Sequence, residues 1–221
     1  MAYNFYLIDD HETILEGYKS LIQLYADHIR INFHKFTDLS KAYLSLNNKN
    51  NPSPPDVLFV DYRMPAYQDA TIENGVDLAQ FAKKLYPKIK VVLLTSHEDY
   101  LLLYDIYKKV ALEGFIVKSD IIGKEFGDLL EALLNNRTYH SKTIKQAIMK
   151  VNKHECLTNS RNRDIIRLIS EGFQSMSISE KLDISLSTVK KRKKTLRFQL
   201  GLTENNNDEA IILKLREEGY I

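Results

Sequence analysis

Short apolar runs and helical stripes alternate along the first 135 residues. Runs at about 3–8, 31–36, 56–60, 90–95 and 114–117 are bounded by polar or proline-rich punctuation, the pattern of strands buried on both faces. Between them, Ile14, Tyr18, Leu21, Ile22 and Tyr25 recur at helical spacing. Val76, Leu78, Ala79 and Ala82 open a second helix, and Leu129, Leu130, Leu133 and Leu134 mark a third. Five strands alternating with helices predict an α/β domain around a five-stranded parallel sheet, with right-handed crossovers. Two stretches interrupt the alternation. "NNKNNPSPP", 47–55, is a proline-rich surface loop, and "AYQDATIEN", 66–74, lengthens the connection before Gly75 without a periodicity of its own.

From about residue 138 the pattern changes. Ile144, Ala147, Ile148 and Val151 stand at i, i+3, i+4 and i+7, so "SKTIKQAIMKV" reads as an amphipathic joining helix. Four short helical patterns follow, at 161–171, 176–182, 187–200 and 208–218. Gly172, Gly201 and Gly219 stand just past three of them, where a left-handed helix stop is expected. The division that results is an α/β domain over 1–138, a helical linker over 139–155 and a small all-α domain over 156–221.

Charge sharpens this division. The formal net charge is +2, but residues 1–140 hold 15 Lys+Arg against 19 Asp+Glu while 141–221 hold 16 against 10, so an acidic front precedes a basic rear suited to a polyanion. No apolar stretch approaches the ~18 residues that would span a bilayer, and the first ten residues carry two acids and no basic, apolar leader pattern. The expectation is a cytoplasmic chain with no membrane partner. A single cysteine, Cys156, excludes an intramolecular disulfide framework and a cysteine-based zinc cluster.

In an open parallel sheet, ligands sit outside the carboxyl ends of the strands. Asp9 and Asp10 follow the first strand, Asp61 closes "DVLFVD", Thr95 closes "VVLLT" and Lys118 closes "GFIVK". Converging carboxylates repel unless a cation neutralises them, and a hard, oxygen-seeking ion such as Mg²⁺ suits such a set. With a lysine and a hydroxyl beside it, the set fits attack by a carboxylate on phosphorus. His11, next to the acids, reads as facing the start of the first helix rather than as a ligand. Tyr100, Tyr104 and Tyr107 form a stripe on the helix after Thr95, partly core and partly a candidate dimer or partner surface.

"LIDDHETILEGYKSLI", "PPDVLFVDYRMP", "VVLLTS" and "GFIVK" resemble the receiver domain of NarL/FixJ-type response regulators over roughly the first 135 residues. The resemblance implies a flavodoxin-like sheet in which Asp61 receives a phosphoryl group from the phosphohistidine of a sensor histidine kinase. It implies Mg²⁺ held by Asp10, Asp61 and the backbone carbonyl of Arg63, with Asp9 acting largely through water. Thr95 and Lys118 would bind the phosphoryl oxygens, and Phe115 would change rotamer as the switch. The chain departs from the family in three places: the longer segment after Pro65, Ala66 where glycine is common, and Phe115 in place of a tyrosine.

In the rear domain, a short helix, the turn "DISL" and the basic segment "STVKKRKKTLRFQLG" compose a helix-turn-helix, whose second helix enters the DNA major groove. Val189, Leu196 and Leu200 anchor that helix inward, leaving Lys190, Lys191, Lys194 and Arg197 or Phe198 outward. The last 65 residues resemble the LuxR-type DNA-binding domain. By position, the resemblance implies that Lys190, Lys191 and Lys194 face the groove, with Thr188 and Lys193 nearer the phosphate backbone. Here "LTNSR" is one residue longer than usual, and Asn162 and Ser177 stand where the family commonly has glutamates.

The reading that unites both halves is a DNA-binding response regulator of a two-component system. It is a transcriptional regulator rather than an enzyme, and it forms a homodimer when phosphorylated. Two alternatives remain open at this point. One keeps the DNA-binding tail but makes the receiver a partner-binding module independent of phosphorylation. The other is a metal-dependent phosphohydrolase, weakened because Arg63 stands where a general acid would be placed.

Overall fold

The computed structural model describes residues 2–121 and 123–221 and divides into two compact units, one of residues 1–97 and 106–144, the other of 98–105 and 145–221. The first is an α/β layer structure. Its strands β1 (Tyr3–Ile8), β2 (Ile31–Phe36), β3 (Val57–Asp61), β4 (Lys90–Thr95), β5 (Gly114–Val117) and β6 (Tyr139–His140) form one sheet in the order β2-β1-β3-β4-β5-β6. Every pairing is parallel. The five apolar runs thus become strands within a residue of their expected bounds. The sixth strand was not expected: Tyr139 and His140 pair with Gly114 and Phe115 along the outer edge of β5, within the segment read as linker. Two residues with a polar member carry no alternation that sequence periodicity can detect.

Helices α1 (Glu12–Tyr25), α2 (Leu39–Asn47), α3 (Gly75–Leu85), α4 (Tyr100–Lys109) and α5 (Lys124–Leu134) connect the strands. All five residues of β3 are buried, as a central strand covered on both faces requires. The core on one face joins Phe5, Phe59, Leu94 and Ile116 to Leu15, Tyr18 and Ile22 of α1 and to Phe126, Leu129 and Leu133 of α5. The buried edge of α1 is therefore Leu15, Tyr18 and Ile22, while Ile14, expected there, is exposed. Asp38 caps α2 by accepting from the Lys41 amide at 2.8 Å, and Asn74 caps α3 by accepting from Val76 and Asp77.

The segment 66–74 is a folded hairpin. Tyr67 and Ile72 exchange backbone hydrogen bonds around a 3₁₀ turn at Gln68–Ala70, and Thr71 takes the left-handed conformation at φ 54°. Ile72 is buried, and the Tyr67 ring lies 5.6 Å from that of Tyr43, which in turn lies 4.4 Å from Phe81. The added length is anchored by aromatic packing onto α2 and α3.

The second unit is helical. It contains the first residues of α4, most of α6 (Lys142–Asn152), then α7 (Glu155–Thr158), α8 (Ser160–Ser170), α9 (Ser175–Leu182), α10 (Leu186–Gln199) and α11 (Asp208–Glu217). Gly172, Gly201 and Gly219 adopt positive φ of 87°, 71° and 66° after α8, α10 and α11, the stops the sequence indicated. The α9–α10 turn passes through Asp183 at φ 51°, and Ser185 caps α10 by accepting from the Thr188 amide. Among the described residues no helix is long and apolar enough to cross a membrane.

Candidate functional site

Register brings the acidic groups together. Ile8 pairs with Val60, so the next residues, Asp9 and Asp61, emerge side by side; Asp61 pairs with Leu94 and Thr95 with Val117, which sets Thr95 and Lys118 at the same sheet edge. Lys118 Nζ lies 2.6 Å from Asp61 Oδ1 and 2.7 Å from Asp9 Oδ2. The Arg63 amide donates to the other Asp61 oxygen at 2.9 Å. Thr95 is buried and its Oγ1 accepts from the His97 amide at 3.1 Å, an arrangement in which the hydroxyl hydrogen can still be donated.

Beside them is a cavity of about 710 Å³ lined by Asp10, Asp61, Arg63 and Lys118 together with Met64, Pro65, Ser96, His11 and His97. Asp9 is fully buried and Asp61 nearly so, whereas Asp10 faces the cavity. Burial pushes the Asp61 carboxyl above its ordinary range, and the hydrogen bond and charge of Lys118 only partly offset this. For Lys118 burial acts in the opposite sense but is outweighed by hydrogen bonds to Asp61 and Asp9, so the ammonium is held more firmly than usual. Asp9 and Asp61 thus share one lysine while Asp10 stands beside them near His11, which leaves an excess of negative charge on oxygen donors around an open space. That donor set fits a hard divalent cation. Asp9, Asp10 and His11 also present ligand atoms within 4.8 Å of one another. His11 stands at the start of α1, as its position indicated, yet its ring turns back, with Nδ1 2.9 Å from Asp10 and 3.3 Å from Asp9.

Phe115 is fully buried in β5. Sequence reasoning missed His97 and Gly75. His97 lines the cavity and packs edge-on to the Tyr62 ring, 5.5 Å between centroids. Gly75 leaves room for the backbone of Asp61, and its signal was a lone glycine opening a helical pattern.

A match to the model of the response regulator receiver domain spans residues 5–124, which covers more than half of the chain and contains every cavity residue named above. The chain belongs to the response regulator receiver family. It is 27% identical over 199 residues to the transcriptional regulatory protein MctR of Rhizobium johnstonii, covering 89% of this chain and 86% of that one. It is 24% identical over 213 residues to the transcriptional regulatory protein RcsB of Escherichia coli K12, covering 95% and 92%. A structure of two RcsB dimers bound to two parallel DNAs shares the fold at a TM-score of 0.65, with 22% identity and 98% of each chain covered. RcsB of Salmonella enterica serovar Typhimurium, bound to a promoter in the presence of the phosphomimetic BeF₃⁻, gives a TM-score of 0.63 at 24% identity, with 96% of this chain and 97% of that chain covered. The receiver followed by a helical domain is therefore an architecture this chain has in common with the RcsB structures.

In the second unit, α10 carries the basic segment. Val189, Leu196 and Leu200 are buried as anchors, and Lys190, Lys191 and Lys194 are exposed. Thr188 is half-buried, its hydroxyl 2.8 Å from that of Ser185. Two assignments are corrected. Lys193 is 2% exposed, its Nζ held by Asp208 at 2.6 Å and Ser175 at 2.8 Å. Arg197 is largely buried and donates to the other Asp208 oxygen at 2.7 Å. The reason is periodicity: Lys193 is the i+4 position from Val189, on the same inward stripe, and Arg197 is one turn further along. Phe198, by contrast, is 81% exposed. Asn162, where a glutamate is usual, is buried and fully used. It donates to the Cys156 carbonyl at 2.9 Å and accepts from the Arg192 guanidinium at 2.8 Å, so an uncharged acceptor ties α8 to α10 in place of an ion pair.

The tyrosine stripe on α4 is not an open surface throughout. Tyr104 is buried and donates to Asn152 at 2.7 Å within the second unit, and Tyr107 packs edge-on to His140 within the first.

Proposed function

We propose that this chain is a DNA-binding response regulator of a two-component system, in which Asp61 accepts a phosphoryl group from the phosphohistidine of a sensor kinase. The observation that carries this reading is the junction at Lys118, whose ammonium lies within 2.7 Å of both Asp61 and Asp9 across the strand ends, beside an acidic cavity. A carboxylate oxygen of Asp61 forms the new bond to phosphorus as the phosphorus–nitrogen bond of the donor breaks, and the electron pair stays with the departing imidazole. Lys118 counters the burial that disfavours the charged Asp61 and is placed to pair with an incoming phosphoryl oxygen, with the Thr95 hydroxyl as a second donor. Asp10, Asp61 and the Arg63 carbonyl would hold Mg²⁺, with Asp9 acting through water; when bound, the ion supplies charge neutralisation for the transferring group. Arg63 and His97 line the same cavity. Phe115 would repack when Lys118 and Thr95 engage the phosphoryl group.

On the output side, Lys190, Lys191 and Lys194 would read base edges or phosphates in the major groove, with Thr188 on the backbone. Lys193 and Arg197 instead hold α10 against α11. Two copies would place their α10 helices in successive half-sites, as a dimer on double-stranded DNA. The named relatives, which are transcriptional regulatory proteins, support this reading. The test is labelling with a radioactive acyl-phosphate donor and Mg²⁺: wild type takes up acid-stable, base-labile label and Asp61→Asn takes up none. Label retained in Asp61→Asn would remove Asp61 as the acceptor.

A further inference from the structure

The start of α6 is hydrogen-bonded to residues on both sides of Lys118. The Ser141 amide donates to the Phe115 carbonyl at 3.1 Å, extending β6, and the Val117 amide donates to Ser141 Oγ at 3.2 Å. Ser141 Oγ in turn donates to Asp120 Oδ2 at 2.6 Å. The same carboxylate accepts from the Thr143 amide at 2.8 Å, and its other oxygen accepts from the Thr143 hydroxyl at 3.0 Å. Asp120 thus caps the first turn of α6 from a distant point in the chain, and Ser141, 3% exposed, is sealed beneath it.

Lys118, Ser119 and Asp120 form a single 3₁₀ turn after β5. The turn is closed by the Ile121 amide donating to the Lys118 carbonyl at 3.3 Å, so only Ser119 separates Lys118 from Asp120 within it. Donors and acceptors run in series from the Val117 amide through Ser141 to Asp120, and each bond in such a chain polarises the next. At one end Lys118 bonds Asp61 and Asp9; at the other, α6 starts in the first unit and continues into the second.

From this we propose that the Asp120–Ser141–Thr143 clamp couples the state of Lys118 to the start of α6, which makes Asp120 the positioning residue that passes occupancy of the pocket to the linker. The proposal rests on the reading of Asp61 as phosphoacceptor. It adds a specific output route along β5 and β6 that uses none of the groups at the acidic cavity besides Lys118.

Two measurements in the full chain test it. In the first, label on Asp61 and affinity for a duplex, selected by the wild type from a random-sequence pool, are measured with and without the phosphodonor. Asp120→Ala takes up label like wild type but loses about fivefold or more of the phosphodonor-induced change in affinity. Asp120→Asn, which keeps a hydrogen-bonding group at each position, restores most of it. Asp120→Ala that is labelled and responds as wild type does would overturn the clamp. In the second, amide hydrogen exchange at 141–145 is compared in wild type and Lys118→Met without any phosphodonor. Faster exchange in the variant supports the coupling and unchanged exchange overturns it. Absence of label in wild type would instead count against the phosphoacceptor reading, and the exchange comparison then decides the clamp by itself.

Discussion

A Cβ placed on Gly75 would stand 2.0 Å from the backbone carbonyl oxygen of Asp61 and 2.9 Å from its carbonyl carbon. No rotamer change relieves that overlap, because both partners are backbone. The N-terminus of α3 is pressed against the end of β3 at the residue proposed to take the phosphoryl group.

Gly75→Ala is therefore expected to push α3 away from β3, at a cost of about 1–3 kcal/mol in stability. It should also slow labelling of Asp61, because the Asp61 backbone is what moves. Denaturant unfolding and labelling rate, measured on one preparation, check both. Wild-type stability with a wild-type labelling rate would show that the contact is readily relieved.

The cap on α2 gives a pH prediction. Burial raises the Asp38 carboxyl, but hydrogen bonds from Lys41 and Ser40 outweigh this and hold it down at about 2, against an ordinary 3.8. A depressed folded-state pKa contributes stability that is present above the unfolded value and is lost as pH falls through the folded one. The contribution should fade between about pH 4 and pH 2. Because Asp38 is about a third exposed, solvent screens the Lys41 pair, and the cap as a whole is worth ~1 kcal/mol. Asp38→Ala should lower stability by that amount at pH 7 and converge with wild type near pH 2, as urea unfolding at the two pH values would show.

The acidic cavity yields a metal prediction. Mg²⁺ that binds only the folded chain raises stability by about 2.7 kcal/mol when present at a hundredfold excess over its dissociation constant. Asp10 contacts His11 but has no role in the core, so Asp10→Ala should fold normally and lose the Mg²⁺-dependent rise in thermal midpoint. A wild-type midpoint indifferent to Mg²⁺ would contradict the ligand set.

Much of this site was legible in the sequence because parallel strands end on one edge. Once the runs before Asp9, Asp61, Thr95 and Lys118 are recognised as strands, their C-terminal residues must be neighbours. Gly75 and His97 escaped because a glycine required by backbone approach, and a histidine after a strand, leave no periodic trace. β6 escaped because two residues are too few to show a period, and the 66–74 hairpin because its order comes from Tyr67 packing on Tyr43, a contact distant in sequence. Lys193 was misplaced through the resemblance, which put it near the phosphate backbone although its spacing from Val189 puts it inward.

That last position separates two kinds of lysine on one helix. Lys190 and Lys194 are exposed; Lys193 is paired with Asp208 and almost sealed. If the outward pair meets DNA, Lys190→Ala or Lys194→Ala should cost ~1–3 kcal/mol where a base is read, or flatten the salt dependence of binding by about one unit where a phosphate is bound. Neither change should alter the unfolding midpoint appreciably, since Lys190 is exposed and Lys194 pairs with Glu204 only at the surface. Lys193→Met should act through the fold. It leaves Asp208 with only Arg197 and costs about 2 kcal/mol, less than the ~3–5 of a fully buried pair because Asp208 is 32% exposed. Its DNA affinity should fall without a change in salt slope, and the remaining loss should be recovered at temperatures where the variant is folded. A reduced salt slope in Lys193→Met, at full folding, would return Lys193 to the DNA-contacting set.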